Sequence, residues 1–340
     1  MTRRNFVSSS AFMAAPLDAG ADAVKNTTPP GDSADFSAYQ ERRRRALWSL
    51  LGDLPWQHQP GPVKVVSTET HENYTLERLV LDLNGVEPVP ALLLIPKRLK
   101  KPAPGLLYIH WHGGMYDLGK EQLLRGTNVQ PPYAPVCAEL GIVTLAIDSW
   151  CFGERKHDSN GHRGEEDTFK LMLWQGRVLW GMMMFDEYRA LSYLRDRSEV
   201  DPKRLGAFGM SMGSTKAWWL GALDPRLGTI IDICCLTDFD SLIKSRGLSG
   251  HGVYYFVPSL LKQFDTADIN ALTVPRPHLS VNGRRDPLTP PAGVQKIKEQ
   301  LLPLYRAYGH EQDCKIELFD CAHEEMPEMR RLIIDWMRRI

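Results

Sequence analysis

The sequence predicts an α/β fold with one doubly wound, mostly parallel sheet that follows a layer of antiparallel strands. From residue 104 onward, short continuous apolar runs such as GLLYIH and GIVTLAID end in polar or glycine-rich sequence. Such runs are typical of strands buried on both faces of a parallel sheet. Helical stretches alternate with them, which indicates crossover helices within a single domain.

The first 35 residues have the composition of a leader. The stretch MTRRNFVSSSAFMAAPLDAGADA places two arginines before Phe6 and a small, mildly apolar segment after it, as in a twin-arginine export signal. Asp18 interrupts that segment, so a cytoplasmic protein with a disordered leader is the alternative. We expect residues 1–35 to be a disordered leader or an export signal of a periplasmic or secreted protein.

An N-terminal helix and strand layer is predicted for residues 36–103. Leucines recur at helical spacing in the helix expected over 36–54, and we interpret its run Arg42–Arg45 as a solvated face. Strand-like runs on either side of Asn84-Gly85 then predict antiparallel pairing.

The remainder of the single domain, 36–340, should contain the alternating strands and helices. Residues 238–273 are longer than a crossover needs and rich in aromatic residues, so an inserted helical cap and ordinary helical packing both remain open. Long helices are predicted over residues 168–197, 211–223, 292–308 and 326–339.

Composition excludes several classes of protein. Lys plus Arg equals Asp plus Glu at 41 each in 340 residues, so the charge does not favour nucleic acid or an anionic membrane as partner. No segment after the leader approaches about 18 uncharged apolar residues, so no transmembrane helix is predicted. The six cysteines form no CxxC pair, and we expect buried free thiols.

Ser211 is the candidate nucleophile. It stands in GMSMG, between the strand RLGAFGM and the helix STKAWWLGAL. Gly209 and Gly213 leave room for a sharp strand-to-helix turn that a Cβ would crowd. The helix N-terminus also favours negative charge beside the serine.

Asp286 and His323 complete a candidate triad, because a serine hydroxyl needs a histidine to take its proton and a carboxylate to orient that histidine. Each residue follows a predicted strand, and reactive groups gather beyond the carboxyl ends of such strands. Asp320 and Asp240 are alternatives to Asp286. His310 and His278 fall at the other end of the sheet.

The stretch HWHGG, His110 to Gly114, follows the strand GLLYIH and offers N–H groups for an oxyanion hole. We pair the N–H of Gly114 with that of Met212, while Gly113 and Met115 remain alternatives to Gly114.

Large aromatic side chains are candidates for the walls of an acyl or sugar pocket, although large aromatics also build cores. Asp148 and Arg155, in DSWCFGER, are interpreted as residues that fix loops. The pocket candidates are Trp111, Trp150, Tyr254 and Tyr255, together with Trp218.

These segments resemble a known superfamily. HWHGG, DSWCFGER, VDPKRLGAFGMSMGS, NGRRDPLTP and CAHEE stand in the order and spacing of bacterial α/β-hydrolases of the dienelactone hydrolase-like and acetyl xylan esterase-like groups. The resemblance covers about residues 60 to 340 and implies the α/β-hydrolase fold. It also implies hydrolysis of carboxylic esters through an acyl-enzyme, often on acylated carbohydrates, without a cofactor. Dienelactone hydrolases proper differ in having cysteine where this chain has Ser211.

Two other classes of function remain open. His110 and His112 form an HxH pair that could bind Zn²⁺ in a metal-dependent hydrolase, although no HExxH motif or second His and Asp cluster follows. A non-catalytic binding protein on a hydrolase fold is the other alternative, against which the complete triad argues. A peptidase of the prolyl oligopeptidase kind shares the core, but the chain lacks the length for an accessory propeller.

Overall fold

A nine-stranded sheet runs through the protein, whose computed structural model describes residues 33–99 and 102–340. The strand order is β1-β2-β3-β5-β4-β6-β7-β8-β9, with antiparallel pairing from β1 to β5 and parallel pairing from β5 to β9. The strands are β1 (Lys64–Thr70), β2 (Tyr74–Leu81), β3 (Val89–Pro96), β4 (Ala103–Ile109), β5 (Val143–Ile147), β6 (Val200–Met210), β7 (Thr229–Ile233), β8 (His278–Gly283) and β9 (Cys314–Phe319).

Helices cover both faces of this sheet. One apolar cluster joins the strands to α1, α5, α6 and α9, and a second joins them to α3 and α10. This is the doubly wound arrangement that the sequence predicts. The α-helices are α1 (Ser33–Ser49), α2 (Gln122–Arg125), α3 (Ala134–Leu140), α4 (Gly161–Trp174), α5 (Leu179–Arg195), α6 (Met212–Leu223), α7 (Phe239–Lys244), α8 (Thr266–Ala271), α9 (Pro291–Ala307) and α10 (Pro327–Met337).

The central parallel strands are buried along their whole length, as β5, β7 and β8 show. Successive side chains of β4 enter opposite apolar clusters: Leu107 packs with the helices on one face and Leu106 with those on the other. This period of two explains why such strands appear in the sequence as continuous apolar runs.

The predicted antiparallel hairpin is confirmed, since β2 and β3 pair in register from Tyr74 with Pro96 to Leu81 with Val89.

The helix expected over 168–197 is wrong in its extent. It is two helices, α4 and α5, separated at Gly176, whose φ of 75° ends the helical geometry.

The first helix also differs from the prediction, because α1 ends at Ser49. Its arginines are not a uniformly solvated face. Arg44 donates to the carbonyl of Ala222 at 2.9 Å and Arg43 to that of Gln263, so two of the four arginines dock the helix onto the domain.

Residues 238–273 hold α7, α8 and three short 3₁₀ turns between β7 and β8. The assignment of this segment to a cap stays a prediction, as does the leader, most of which lies outside the described residues.

No helix in the described ranges is long and apolar enough to cross a membrane. All six cysteines are buried free thiols, as expected.

Candidate active site

Ser211 occupies a sharp turn between β6 and α6. Its φ of 57° and ψ of −117° lie outside the regions that L-residues ordinarily adopt. A Cβ on Gly213 would overlap the carbonyl oxygen of Ile109, and one on Gly209 would overlap the main chain of Gly213. Glycine is therefore required on both sides of the serine, as the sequence predicts.

The turn places Ser211 at the carboxyl edge of the sheet. Its N–H donates to the carbonyl of Ile233 at 2.9 Å, which ties it to the last residue of β7. Ser211 is 7% exposed, so its surroundings are largely dry. Met212 begins α6, and its N–H, like those of any first helical turn, has no acceptor within the helix.

Asp286 and His323 are brought together beyond the ends of β8 and β9. Nδ1 of His323 lies 2.7 Å from Oδ2 of Asp286, and the other carboxylate oxygen accepts the N–H of Leu288 at 2.9 Å. The carboxylate is buried and held by both oxygens. It therefore fixes the orientation and tautomer of the imidazole.

The second nitrogen of His323 is free to act as a base. Its Nε2 is buried and makes no hydrogen bond with any described residue. Since Nδ1 faces a carboxylate, the neutral ring carries its proton there and leaves a lone pair on Nε2. The alternative carboxylate Asp320 is 79% exposed and pairs with Arg285, so Asp286 is the one that contacts this histidine.

Cys234 connects the serine turn to this pair. It follows Ile233 directly, and its Sγ, a carboxylate oxygen of Asp286 and a ring nitrogen of His323 all lie within 4.8 Å of one another. Burial, followed by the charge of Asp286, raises the pKa of the thiol well above its ordinary value. Sequence analysis identified Cys234 as a buried thiol and missed its place beside the candidate triad.

His110 supports the loop after β4 as a neutral side chain. Its Nε2 accepts the N–H of Ser149 at 3.0 Å, and its Nδ1 lies 2.9 Å from the carbonyl of Trp111. Burial, helped by the charge of Lys216, lowers the pKa of His110 from 6.5 to about 3. Both ring nitrogens are thus occupied in holding the backbone.

The proposed metal site finds no support in these contacts. His112 is also bonded at both ring nitrogens, to Gly114 and to Glu165. Among the described residues, a cluster of three metal-type ligands is formed by Cys234, Asp286 and His323, and it includes neither histidine of the HxH pair. The donor set around His110 and His112 therefore does not fit the zinc site considered from the sequence.

The oxyanion assignment of Gly114 needs correction. Its N–H donates to Nδ1 of His112 at 3.0 Å, and the N–H of Met115 donates to the carbonyl of His112 at 2.9 Å. Both donors are occupied within the turn. Of the three candidates, Gly113 has the N–H that bonds to no other described residue.

A groove of about 860 Å³ borders this turn, and none of the aromatic residues predicted to line a pocket lies on its wall. Those aromatics are buried instead. Tyr254 stacks on His112 at 5.2 Å, and Trp218 donates to the carbonyl of Cys235 at 3.2 Å. Trp111, Trp150, Trp218, Tyr254 and Tyr255 are all less than 9% exposed. Residues that do line the groove include His112, Gly114, Tyr116, Lys156, Asn160 and His162.

Trp111, Trp150 and Tyr255 each have one buried polar group. Nε1 of each tryptophan and the hydroxyl of Tyr255 are buried and make no hydrogen bond within the described chain. The indole N–H groups of Trp180 and Trp219 are buried without partners in the same way, so this feature does not distinguish the predicted pocket residues.

Two buried charged clusters support the site. Asp148 accepts the main-chain N–H of Lys120 at 2.8 Å, and Arg155 donates to the carbonyl of Asp148 at the same distance. Both residues therefore fix loops, as expected. Sequence analysis missed Lys216, which pairs with Glu187 at 2.8 Å under the serine turn. Its signal was the one charge within the otherwise apolar helix STKAWWLGAL.

Comparison with known proteins assigns the chain to a family. The model of the Abhydrolase family matches residues 4–288. The chain belongs to the Abhydrolase family. The matched region includes most of the stretch assigned to a leader, so the leader stays a prediction.

Relatives of this Abhydrolase family member include a protein of Bacillus subtilis (strain 168), YtaP, which is named as a hydrolase. The two are 41% identical over 299 residues, covering 87% of this chain and 98% of YtaP. Two solved structures share the fold. A glucuronoyl esterase from Solibacter usitatus has 16% identity and a TM-score of 0.66, covering 94% of this chain and 98% of its own.

Acetyl xylan esterase 1 from Thermoanaerobacterium sp. JW/SL YS485 has 19% identity and a TM-score of 0.55, with coverage of 92% and 95%. At these identities the two esterases demonstrate the shared α/β-hydrolase fold. The fold class that the sequence predicts is therefore confirmed.

Proposed function

We propose that this protein is a serine esterase in which Ser211, His323 and Asp286 form the catalytic triad. The observation that carries the proposal is the 2.7 Å contact between His323 and Asp286, which leaves Nε2 as a buried acceptor on the edge where the strained Ser211 turn lies. The resemblance to α/β-hydrolases and the family assignment support it.

In the acylation step, Nε2 of His323 takes the proton of the Ser211 hydroxyl as Oγ attacks the ester carbonyl carbon. The carbonyl π electrons move to its oxygen, and Asp286 stabilises the imidazolium that forms. The N–H of Met212, with that of Gly113, donates to the oxyanion. Collapse expels the alcohol, which leaves with the proton from His323.

In the deacylation step, the same groups act on water. His323 removes a proton from water as the hydroxide oxygen attacks the acyl carbonyl, and a second oxyanion is held by the same N–H donors. Its collapse returns the proton to Oγ of Ser211 and releases the carboxylic acid. No redox or metal chemistry enters this sequence.

The proposed substrates are short acyl esters, acetyl esters above all, on a carbohydrate or another small molecule. Support comes from the fold shared with the acetyl xylan and glucuronoyl esterases.

Ser211→Ala tests the mechanism. Because it removes the attacking oxygen, turnover of p-nitrophenyl acetate should fall by about three orders of magnitude or more. A fluorophosphonate should label the wild-type protein at Ser211, as read by peptide mass spectrometry, and leave the variant unlabelled. Ser49→Ala, on the exposed side of α1, is the matched control. Near-normal turnover in Ser211→Ala would overturn the mechanism.

The substrate class is tested with a panel of acetylated xylo-oligosaccharides, methyl glucuronate and p-nitrophenyl esters of increasing acyl length. We expect the highest kcat/KM for acetyl groups on the oligosaccharides. A preference for glucuronate esters would keep the serine mechanism and reject the acetyl assignment.

A further inference from the structure

His112 makes several contacts outside the proposed triad. Its Nδ1 accepts the N–H of Gly114 at 3.0 Å, and its carbonyl accepts the N–H of Met115 at 2.9 Å. Its other ring nitrogen, Nε2, lies 3.2 Å from Oε2 of Glu165 in α4. One imidazole therefore joins the glycine turn after β4 to a separate helix.

These contacts define the tautomer of His112. Because Nδ1 accepts a main-chain N–H, the neutral ring carries its proton on Nε2 and donates it to Glu165. The hydroxyl of Tyr116 donates to the same carboxylate oxygen at 3.1 Å. The ring is thus oriented by one acceptor and one donor, and it cannot flip without losing both bonds.

The burial of Glu165 lowers the stability of the folded protein. Glu165 is 1% exposed, and its Oε1 makes no hydrogen bond with any described residue. An apolar side chain would occupy this position without leaving a buried oxygen unpaired. Buried polar groups without a partner are typical of functional sites, where local stability is given up for function.

Aromatic rings hold the imidazole on three sides. Tyr254 stacks on it at 5.2 Å between centroids, and Tyr116 and Phe152 meet it edge-on at 5.0 Å each. The direction of Nδ1 is therefore fixed, and with it the position of the turn that contains Gly113.

We propose that His112, anchored by Glu165, is a positioning residue for the oxyanion hole. His112 accepts the N–H of Gly114 and fixes the neighbouring turn. The N–H of Gly113 then stays free and points at the carbonyl oxygen of the substrate. His112 does not touch the reacting atoms. This inference rests on the proposed esterase function.

Two amide replacements test the roles of the two ring nitrogens separately. His112→Asn keeps an oxygen near the position of Nδ1, where it accepts the N–H of Gly114, but it does not reach Glu165. His112→Gln keeps a polar atom near the position of Nε2 and leaves Gly114 without its acceptor. We expect kcat for p-nitrophenyl acetate within about threefold of wild type in His112→Asn, and about ten- to a hundredfold lower in His112→Gln, both with unchanged KM.

Glu165→Leu is a second variant, which leaves His112 in place and removes its anchor. Because His112 still accepts the N–H of Gly114 in this variant, kcat should fall by no more than about threefold at constant KM. His310→Asn is the matched control, because His310 is an exposed histidine that lies before β9, at the opposite end of the sheet from the candidate site. Its kcat should equal that of the wild type.

Hydrogen exchange at the Gly114 amide gives a readout independent of activity. With ¹⁵N-glycine labelling, the amide should be protected in the wild type and in His112→Asn and should exchange faster in His112→Gln. If the wild type is active and His112→Gln matches it in kcat and in Gly114 exchange, this inference is overturned and the esterase proposal stands. A wild-type protein that hydrolyses no ester overturns both.

Discussion

Cys234 adds a third ligand for a metal ion beside Asp286 and His323 of the candidate triad. Its thiol lies within 4.8 Å of ligand atoms of Asp286 and His323, and the three groups form a thiolate, carboxylate and imidazole set when deprotonated. Tetrahedral Zn²⁺ binds this combination at about 2.0 to 2.3 Å per ligand. The cation would displace the thiol proton and compete with the hydrogen bond that orients His323.

Zn²⁺ should therefore inhibit ester hydrolysis, and Cys234→Ala should weaken that inhibition by about tenfold or more. The inhibition constant for Zn²⁺ is measured relative to the metal-free rate of each variant, with EDTA to reverse it. Cys235→Ala is the control, because Cys235 is the adjacent buried thiol and is not part of the ligand cluster. Equal inhibition constants in the wild type and Cys234→Ala would show that the metal acts elsewhere.

Helices α5 and α6 are joined by a buried ion pair under the serine turn. Lys216 of α6 lies 2.8 Å from Glu187 of α5, and its Nζ also donates to the hydroxyl of Ser149. Both side chains are almost completely excluded from solvent. Burial raises the pKa of Glu187, while Lys216 opposes that rise. The pair thus links α6, which begins directly after the candidate nucleophile Ser211, to the neighbouring helix α5.

Removing one partner should destabilise the protein more than removing both. Lys216→Met leaves a buried carboxylate unpaired and should lower the free energy of unfolding by about 3 to 5 kcal/mol. The double variant Lys216→Met/Glu187→Leu should regain a large part of this, as measured by urea unfolding in a double-mutant cycle. Lys244→Met removes an exposed pair with Asp240 and should change little. Additive losses in the cycle would contradict the coupling.

At the scale of the whole molecule, the features that sequence predicts are those set by local pattern. The parallel sheet follows from continuous apolar runs, and the places of Ser211, Asp286 and His323 follow from strand ends that meet at one edge. The glycines beside Ser211 are predictable because the turn itself is local.

Other features depend on packing that no local pattern contains. His112 and Glu165 are 53 residues apart and meet because α4 packs against the loop after β4. The N–H of Gly114 is occupied by the ring of His112, which no local pattern predicts, so the candidate oxyanion donor could not be chosen from sequence. The break at Gly176 has no distinct signal in the sequence, since a single glycine inside a helical pattern costs only about 1 kcal/mol.

Stability of the whole fold should depend on pH through His110. Its pKa falls from 6.5 to about 3 on folding, chiefly through burial. As pH decreases, the unfolded chain therefore binds the proton first, and the native state loses stability between those two values. Burial lowers the pKa of His251 as well, with the same sign. The buried carboxyls of Glu187 and Glu325 have pKa values raised above 4.5, so they act in the opposite direction as pH falls towards 4.5.

His110→Gln isolates this contribution, since glutamine can donate and accept in place of the ring but does not titrate. Between about pH 7 and pH 5, the free energy of unfolding of the wild type should fall by about 2 kcal/mol more than that of the variant. Urea unfolding across this range measures the difference in slope, which does not depend on how much the substitution itself destabilises the fold. His162→Gln, with its largely exposed side chain, should keep the wild-type slope. If His110→Gln keeps it too, the neutral buried imidazole is not the group that links stability to pH.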